Sequence, residues 1–242
     1  MVFPETTTQL SSLSKQLVNE TGGGNSPFLN MLKDYQNKMI TDYDNKKKWF
    51  IIASGPSLTK TDVDLLNGKN VIAINDNYLL APWATILYAC DPQWWKWHQD
   101  RIELKLFRGL KYSQNQSWDE KDMEFFKWKF GVNFVESRST NELLLEPGAI
   151  MQGSNSGIQA INLAIHFGAT EIYLLGFDMQ LTHGKAHWFG EHPNKVHTNY
   201  SKLIRFYNAV AKQAENIGLK ITNCTRETAL MCFPRQSIDE VI

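Results

Sequence analysis

No apolar run in this 242-residue chain approaches the ~18 residues that a membrane-spanning helix requires, so the sequence offers no candidate span. An excess of one charge is also missing. Lys plus Arg (25) equals Asp plus Glu (25), which leaves no global basic field to draw the protein to nucleic acid or an anionic membrane. Cysteine is scarce and odd in number: Cys90, Cys224 and Cys232 are expected to be free, buried thiols rather than a disulfide framework, which favours the cytoplasm. Residues 1–20 lack the basic-then-apolar pattern of a signal peptide, so the sequons at Asn19, Asn115, Asn199 and Asn223 are expected to carry no glycan.

The chain does contain enough apolar sequence, 43% of its residues, to bury a full core. The first ~25 residues are rich in Thr, Ser and Gln and end in Gly22-Gly23-Gly24-Asn25, a flexible joint. Ser26-Pro27 then resembles a helix start, with Phe28, Leu32, Tyr35 and Met39 on one side. Residues 1–47 therefore read as an N-terminal helical arm, and a homo-oligomer contact is one use for it.

From Trp49 onward strands and helices alternate. Strands are predicted at Trp49–Ala53, Asn70–Ile74, Ile86–Cys90, Glu171–Leu175 and Lys220–Cys224, with helices after Gly55-Pro56-Ser57, from Ser156 to Gly168 and over Tyr200–Ile217. That order predicts an α/β, Rossmann-like, mostly parallel sheet of about five strands flanked by helices, over residues 48–242. Residues 92–148, crowded with Trp94, Trp95, Trp97, Trp118, Phe125, Phe126 and Trp128, read as a helical insertion or lid, their aromatics chiefly core.

In such sheets ligands sit beyond the carboxyl ends of the strands, and the chemically distinctive residues follow strands here. Gly55-Pro56-Ser57 can turn the backbone sharply and offer a hydroxyl beside helix amides, as an anion cradle would, although it is also a common way to leave a strand. It is neither the dinucleotide Gly-x-Gly-x-x-Gly nor a P-loop. Ser156-Gly157 opens a second helix where amides are free. Asn75 and Asn77 can recognise a base or ribose, or simply form a turn; Asp91 follows the third strand and Asp178 the fourth. Four of the six histidines, His183, His187, His192 and His197, lie in one loop. Gly184, Gly190 and Pro193 break any regular helix there, so a single histidine acting as acid or base is a better reading than zinc.

Taken together, Gly55-Pro56-Ser57-Leu58, Ile74-Asn75-Asp76-Asn77-Tyr78, Ser156-Gly157 and the stretch Ala164 to Asp178 resemble the bacterial family 42 sialyltransferases and the related hydroxymethyldihydropterin pyrophosphokinases. A Trp-Phe-Gly-x-His-Pro loop and the ending Thr225 to Leu230 look closer still to uncharacterised relatives, some from bacteriophages. The resemblance implies a metal-independent transferase that takes a nucleotide sugar of the CMP-sialic-acid type, with an acceptor hydroxyl the sequence does not identify. It places Gly55, Pro56, Ser57, Asn75, Ser156 and Gly157 in the nucleotide site, and Asp91 where the family has a polar residue, usually asparagine. It makes His197, or else His192, the general base. Met179-Gln180-Leu181 stand where the sialyltransferases carry tyrosines, with Trp188 or Tyr200 as substitutes. The alternatives are an ATP- and Mg²⁺-dependent pyrophosphokinase using Asp76, Asp91 and Asp178, and a non-catalytic nucleotide-binding protein.

Overall fold

The computed structural model describes residues 48–153, 155–190 and 198–242. The arm expected over residues 1–47 lies outside them. Eight strands form one sheet among the described residues: β1 (Lys48–Ile52), β2 (Asn70–Ile74), β3 (Ile86–Tyr88), β4 (Leu110–Gln114), β5 (Val132–Arg138), β6 (Ala149–Met151), β7 (Glu171–Leu175) and β8 (Lys220–Asn223). Their spatial order is β6-β5-β4-β3-β2-β1-β7-β8, and every pair is parallel. The Rossmann-like α/β expectation holds, with an entirely parallel sheet of eight strands rather than about five.

The difference lies in residues 92–148. They are not a helical insertion or lid, because β4 and β5 run through them and extend the sheet beyond β3. Between the strands stand α1 (Lys60–Asp64), α2 (Pro92–His98), α3 (Ile102–Leu106), α4 (Glu120–Phe130), α5 (Ser156–His166) and α6 (Tyr200–Asn216). Alternation along each strand sends neighbouring side chains to opposite faces. Phe50, Ile52, Val71, Ala73 and Leu87 join one buried cluster with Val63 of α1, Trp94 and Trp95 of α2, Leu104 of α3 and Phe126 of α4. On the other face Trp49 and Tyr112 meet Phe167, and Tyr88 donates to Gln159 of α5. A sheet covered on both faces accounts for the continuous burial of β2, whose sequence NVIAI shows no polar alternation. Most of the clustered aromatics are core as expected, but Trp128 is 82% exposed on α4.

All three cysteines are free as expected, but only Cys224 is fully buried, Cys90 and Cys232 being half-buried. Among the described residues no helix is long and apolar enough to cross a membrane.

The segment after β8 is tied back across the sheet by Arg226, whose guanidinium makes two 2.7 Å hydrogen bonds to Asp62 of α1. Burial alone would raise the Asp62 pKa, but the Arg226 and Thr59 hydrogen bonds outweigh it and hold the carboxyl below its ordinary value of 3.8. A lowered folded-state pKa contributes stability above the unfolded value and loses it as pH falls through the folded one. Arg226→Ala is therefore expected to cost about 2 kcal/mol at neutral pH. In paired urea titrations that deficit should shrink steadily as the pH drops below ~4 and both states protonate Asp62.

Candidate functional site

Because all strands run the same way, their carboxyl ends share one edge. Strand order reverses at β1, which has β2 on one side and β7 on the other. A crevice for ligand belongs there, and the loops after β1, β2, β3 and β7 meet at it.

The turn after β1 is zipped to the turn after β7. Ala53 N donates to Leu175 O and Gly55 N to Gly176 O, each at 2.8 Å. Two glycines make this approach possible. A Cβ on Gly55 would lie 2.0 Å from Asp178 Oδ1 and 2.5 Å from Gly176 O. Gly176 adopts φ +71°, and a Cβ there would lie 2.2 Å from Ala53 O.

Into this junction comes Asp178, only 2% exposed. Its Oδ2 accepts from Ser57 N at 2.9 Å and from Thr182 Oγ1 at 2.7 Å, while Oδ1 accepts from Ser57 Oγ at 2.8 Å. Charge-assisted bonds of this kind contribute about 1.5–3 kcal/mol each. The Ser57 amide and hydroxyl, read from the sequence as donors for a ligand anion, are thus committed to an internal one. The segment Thr225 to Ala229 closes over the same turn: Phe177 N donates to Thr225 Oγ1, Thr228 Oγ1 to Phe177 O, and Ala229 N to Asp178 O.

Asn77 is fully buried and acts as a strut. Its Nδ2 reaches Ile74 O at 2.8 Å, Ile52 O at 3.1 Å and Ser54 Oγ at 3.2 Å, binding the ends of β1 and β2 together. Its Oδ1 accepts from Trp188 Nε1 at 2.9 Å, while the Trp188 amide donates to Ser54 O at 3.0 Å. The loop carrying His183 and His187 is fastened by these two bonds. Within it, His183 Nε2 lies 3.2 Å from Glu227 Oε1 and His187 stacks on Phe189. Asn75 differs from Asn77: it is half-buried in the left-handed region at φ 52°, and its side chain makes no hydrogen bond among the described residues.

At the same carboxyl edge stands the start of α5. Asn155 caps it, with Oδ1 accepting from Ile158 N at 3.0 Å and from the Tyr207 hydroxyl at 2.9 Å. Its Nδ2 is buried with no hydrogen-bond partner among the described residues. Ser156 Oγ donates to Cys90 Sγ at 3.1 Å and accepts from Cys90 N at 3.4 Å, which seats the helix on the end of β3. Buried Gly157 is closed in by Tyr207 and Phe177, so the helix start spans the gap from β3 to the β7 turn. The amides of Ser156 and Gly157 precede the first intrahelical donor, Gln159 N, which reaches Asn155 O at 3.3 Å. Burial pushes the Cys90 thiol above its ordinary pKa, with the Ser156 hydrogen bond partly opposing, so it stays protonated at neutral pH.

The three aspartates are separately engaged. Asp76 accepts from Trp94 Nε1 at 2.9 Å and lies 3.5 Å from His98 Nε2, whose Nδ1 pairs with the Tyr78 hydroxyl at 2.8 Å. Exposed Asp91 caps α2, accepting from Gln93 N at 2.8 Å. Among the described residues no group of three or more His, Cys, Asp or Glu side chains is placed to hold a metal ion. Both candidate bases, His192 and His197, lie outside the described residues.

Sequence reasoning missed Thr182 as a partner of Asp178, the Asn77–Trp188 bond and the tail that covers the turn. The last two are contacts between distant segments with no local pattern, and the first, though only four residues apart, lies in an irregular loop with no period to announce it. Searched against family models, curated proteins and solved structures, the chain matches none.

Proposed function

We propose that the chain binds a nucleotide sugar at the carboxyl edge of the sheet and transfers the sugar to an acceptor hydroxyl, with His197 as the general base. One observation carries the reading. At the edge where strand order reverses, hydrogen-bonding groups with no partner among the described residues gather at the start of α5: the Ser156 and Gly157 amides and Asn155 Nδ2. Asn75, left-handed in backbone and with a side chain that makes no hydrogen bond among the described residues, lies at the same edge. An anion at a helix start gains only about 0.3–2 kcal/mol, against the ~8 kcal/mol of micromolar binding. Base and ribose contacts must supply the rest, and Asn75 and Asn155 have the amide chemistry for them.

The aspartates favour this over ATP- and Mg²⁺-dependent diphosphate transfer. A hard cation needs several carboxylate oxygens directed at one point, whereas Asp76, Asp91 and Asp178 each serve a different internal donor. Thermal unfolding with CMP, nucleotide sugars and ATP, each with and without Mg²⁺, tests the choice. At 100 times Kd a ligand adds about 2.7 kcal/mol, or about 5–10 °C for a chain of this size. A metal-independent rise with a nucleotide sugar is expected; a rise with only ATP and Mg²⁺ would favour the pyrophosphokinase. Stabilisation by free nucleotide without any turnover would favour a binding protein. Given turnover, His197→Ala is expected to lower kcat by about 10²–10⁴-fold while leaving the melting temperature unchanged.

A further inference from the structure

The Gly-Pro-Ser turn offers what an anion cradle offers: a backbone amide and hydroxyl at Ser57, a second hydroxyl at Thr182, and a glycine that lets charge come close. Each of those donors already points at one carboxylate. Asp178 takes the Ser57 amide at 2.9 Å, the Ser57 hydroxyl at 2.8 Å and the Thr182 hydroxyl at 2.7 Å. Its Oδ1 fills the volume that a Gly55 side chain would need. The carboxylate is 2% exposed and roofed by the segment through Ala229, whose amide holds the Asp178 carbonyl. A ligand phosphate entering here would meet a like charge in contact and find every donor spent.

We propose that Asp178 is the resident anion of the Gly-Pro-Ser turn and a specificity-determining residue: it keeps phosphoryl groups out of that turn and leaves the start of α5 as their place. The last clause rests on the nucleotide-binding reading above; the exclusion itself does not. It reassigns Gly55, Pro56 and Ser57 from holding phosphate to holding Asp178.

The test uses the full chain, with backbone amide NMR during titration with inorganic pyrophosphate against sodium chloride at matched ionic strength. In the wild-type protein the Ser57 amide is expected to stay fixed; a saturable Ser57 shift overturns the proposal. In Asp178→Ala the same amide is expected to respond, with at least ~10-fold tighter apparent binding than any wild-type response. A folded variant whose Ser57 amide ignores pyrophosphate also overturns it. Asp178→Ser, which keeps a hydroxyl acceptor, carries the same test if the alanine variant does not fold, and the wild-type titration decides if neither does. Titration with CMP, read at Ser156 and Gly157, reports separately on the nucleotide reading. Silence there removes that reading while a fixed Ser57 still supports the exclusion.

Discussion

Gly55→Ala is expected to cost about 3 kcal/mol or more of folding stability, at the upper end of what overpacking produces. The added methyl would sit 2.0 Å from Asp178 Oδ1 and 2.5 Å from Gly176 O. Neither obstacle yields easily. The carboxylate is held by three hydrogen bonds, and the carbonyl belongs to a backbone whose own glycine stands at φ +71° with its missing Cβ 2.2 Å from Ala53 O. Urea unfolding of Gly55→Ala alone and with Asp178→Ala checks the mechanism. Removing the carboxylate should recover only part of the loss, because the Gly176 carbonyl remains in the way. Full recovery would mean that the side chain alone sets the barrier, and an Ala variant as stable as the parent would mean that the two turns do not touch as described.

Asn77→Ala is expected to be nearly as damaging, about 3 kcal/mol, for an opposite reason. It adds nothing and instead leaves buried partners without bonds. The carbonyls of Ile52 and Ile74 lose their shared donor and the Trp188 indole its acceptor, and each buried polar group left unsatisfied costs about 1–3 kcal/mol. Asn77→Asp should be worse, since it turns a carboxylate oxygen toward two carbonyls. The specific readout is the loop ending at Trp188. Limited proteolysis should cut it between Thr182 and Phe189 faster in the variants than global unfolding alone allows. Equal protection at matched stability would show that the Asn77–Trp188 bond does not fasten the loop.

The sequence announced some of these elements and concealed others for physical reasons. β2 and β7 are legible because a doubly covered parallel strand must be apolar nearly throughout, and NVIAI and EIYLL comply. β5, VNFVESR, carries Asn, Glu and Arg at its solvent-facing positions, and β4, LKYSQ, carries Lys and Gln that donate to the Phe107 and Cys90 carbonyls, while the aromatic residues around them imitate helix faces. β6 has three residues, too few for any period. At the site, the loops that gather at the strand ends could be named from strand order alone. Which donors remained available could not. Ser57 and Ser156 look alike in sequence, each a small polar residue near a helix start, yet Ser57 meets Asp178 and Ser156 meets Cys90. Asn75 and Asn77, two residues apart, part in the same way: one side chain makes no hydrogen bond among the described residues, the other is a strut at the centre of the fold.

The strand order also sets a timetable for the growing chain. β1 through β6 are neighbours in the order in which a ribosome delivers them, so each can dock on its predecessor as it emerges. β7 must instead travel back to β1, and it brings Asp178 to Ser57 across a sequence separation of 121 residues. Until then Ser57 has no Asp178 to donate to. Closure of the Gly-Pro-Ser turn is a late event, completed only after the outer half of the sheet has had time to assemble.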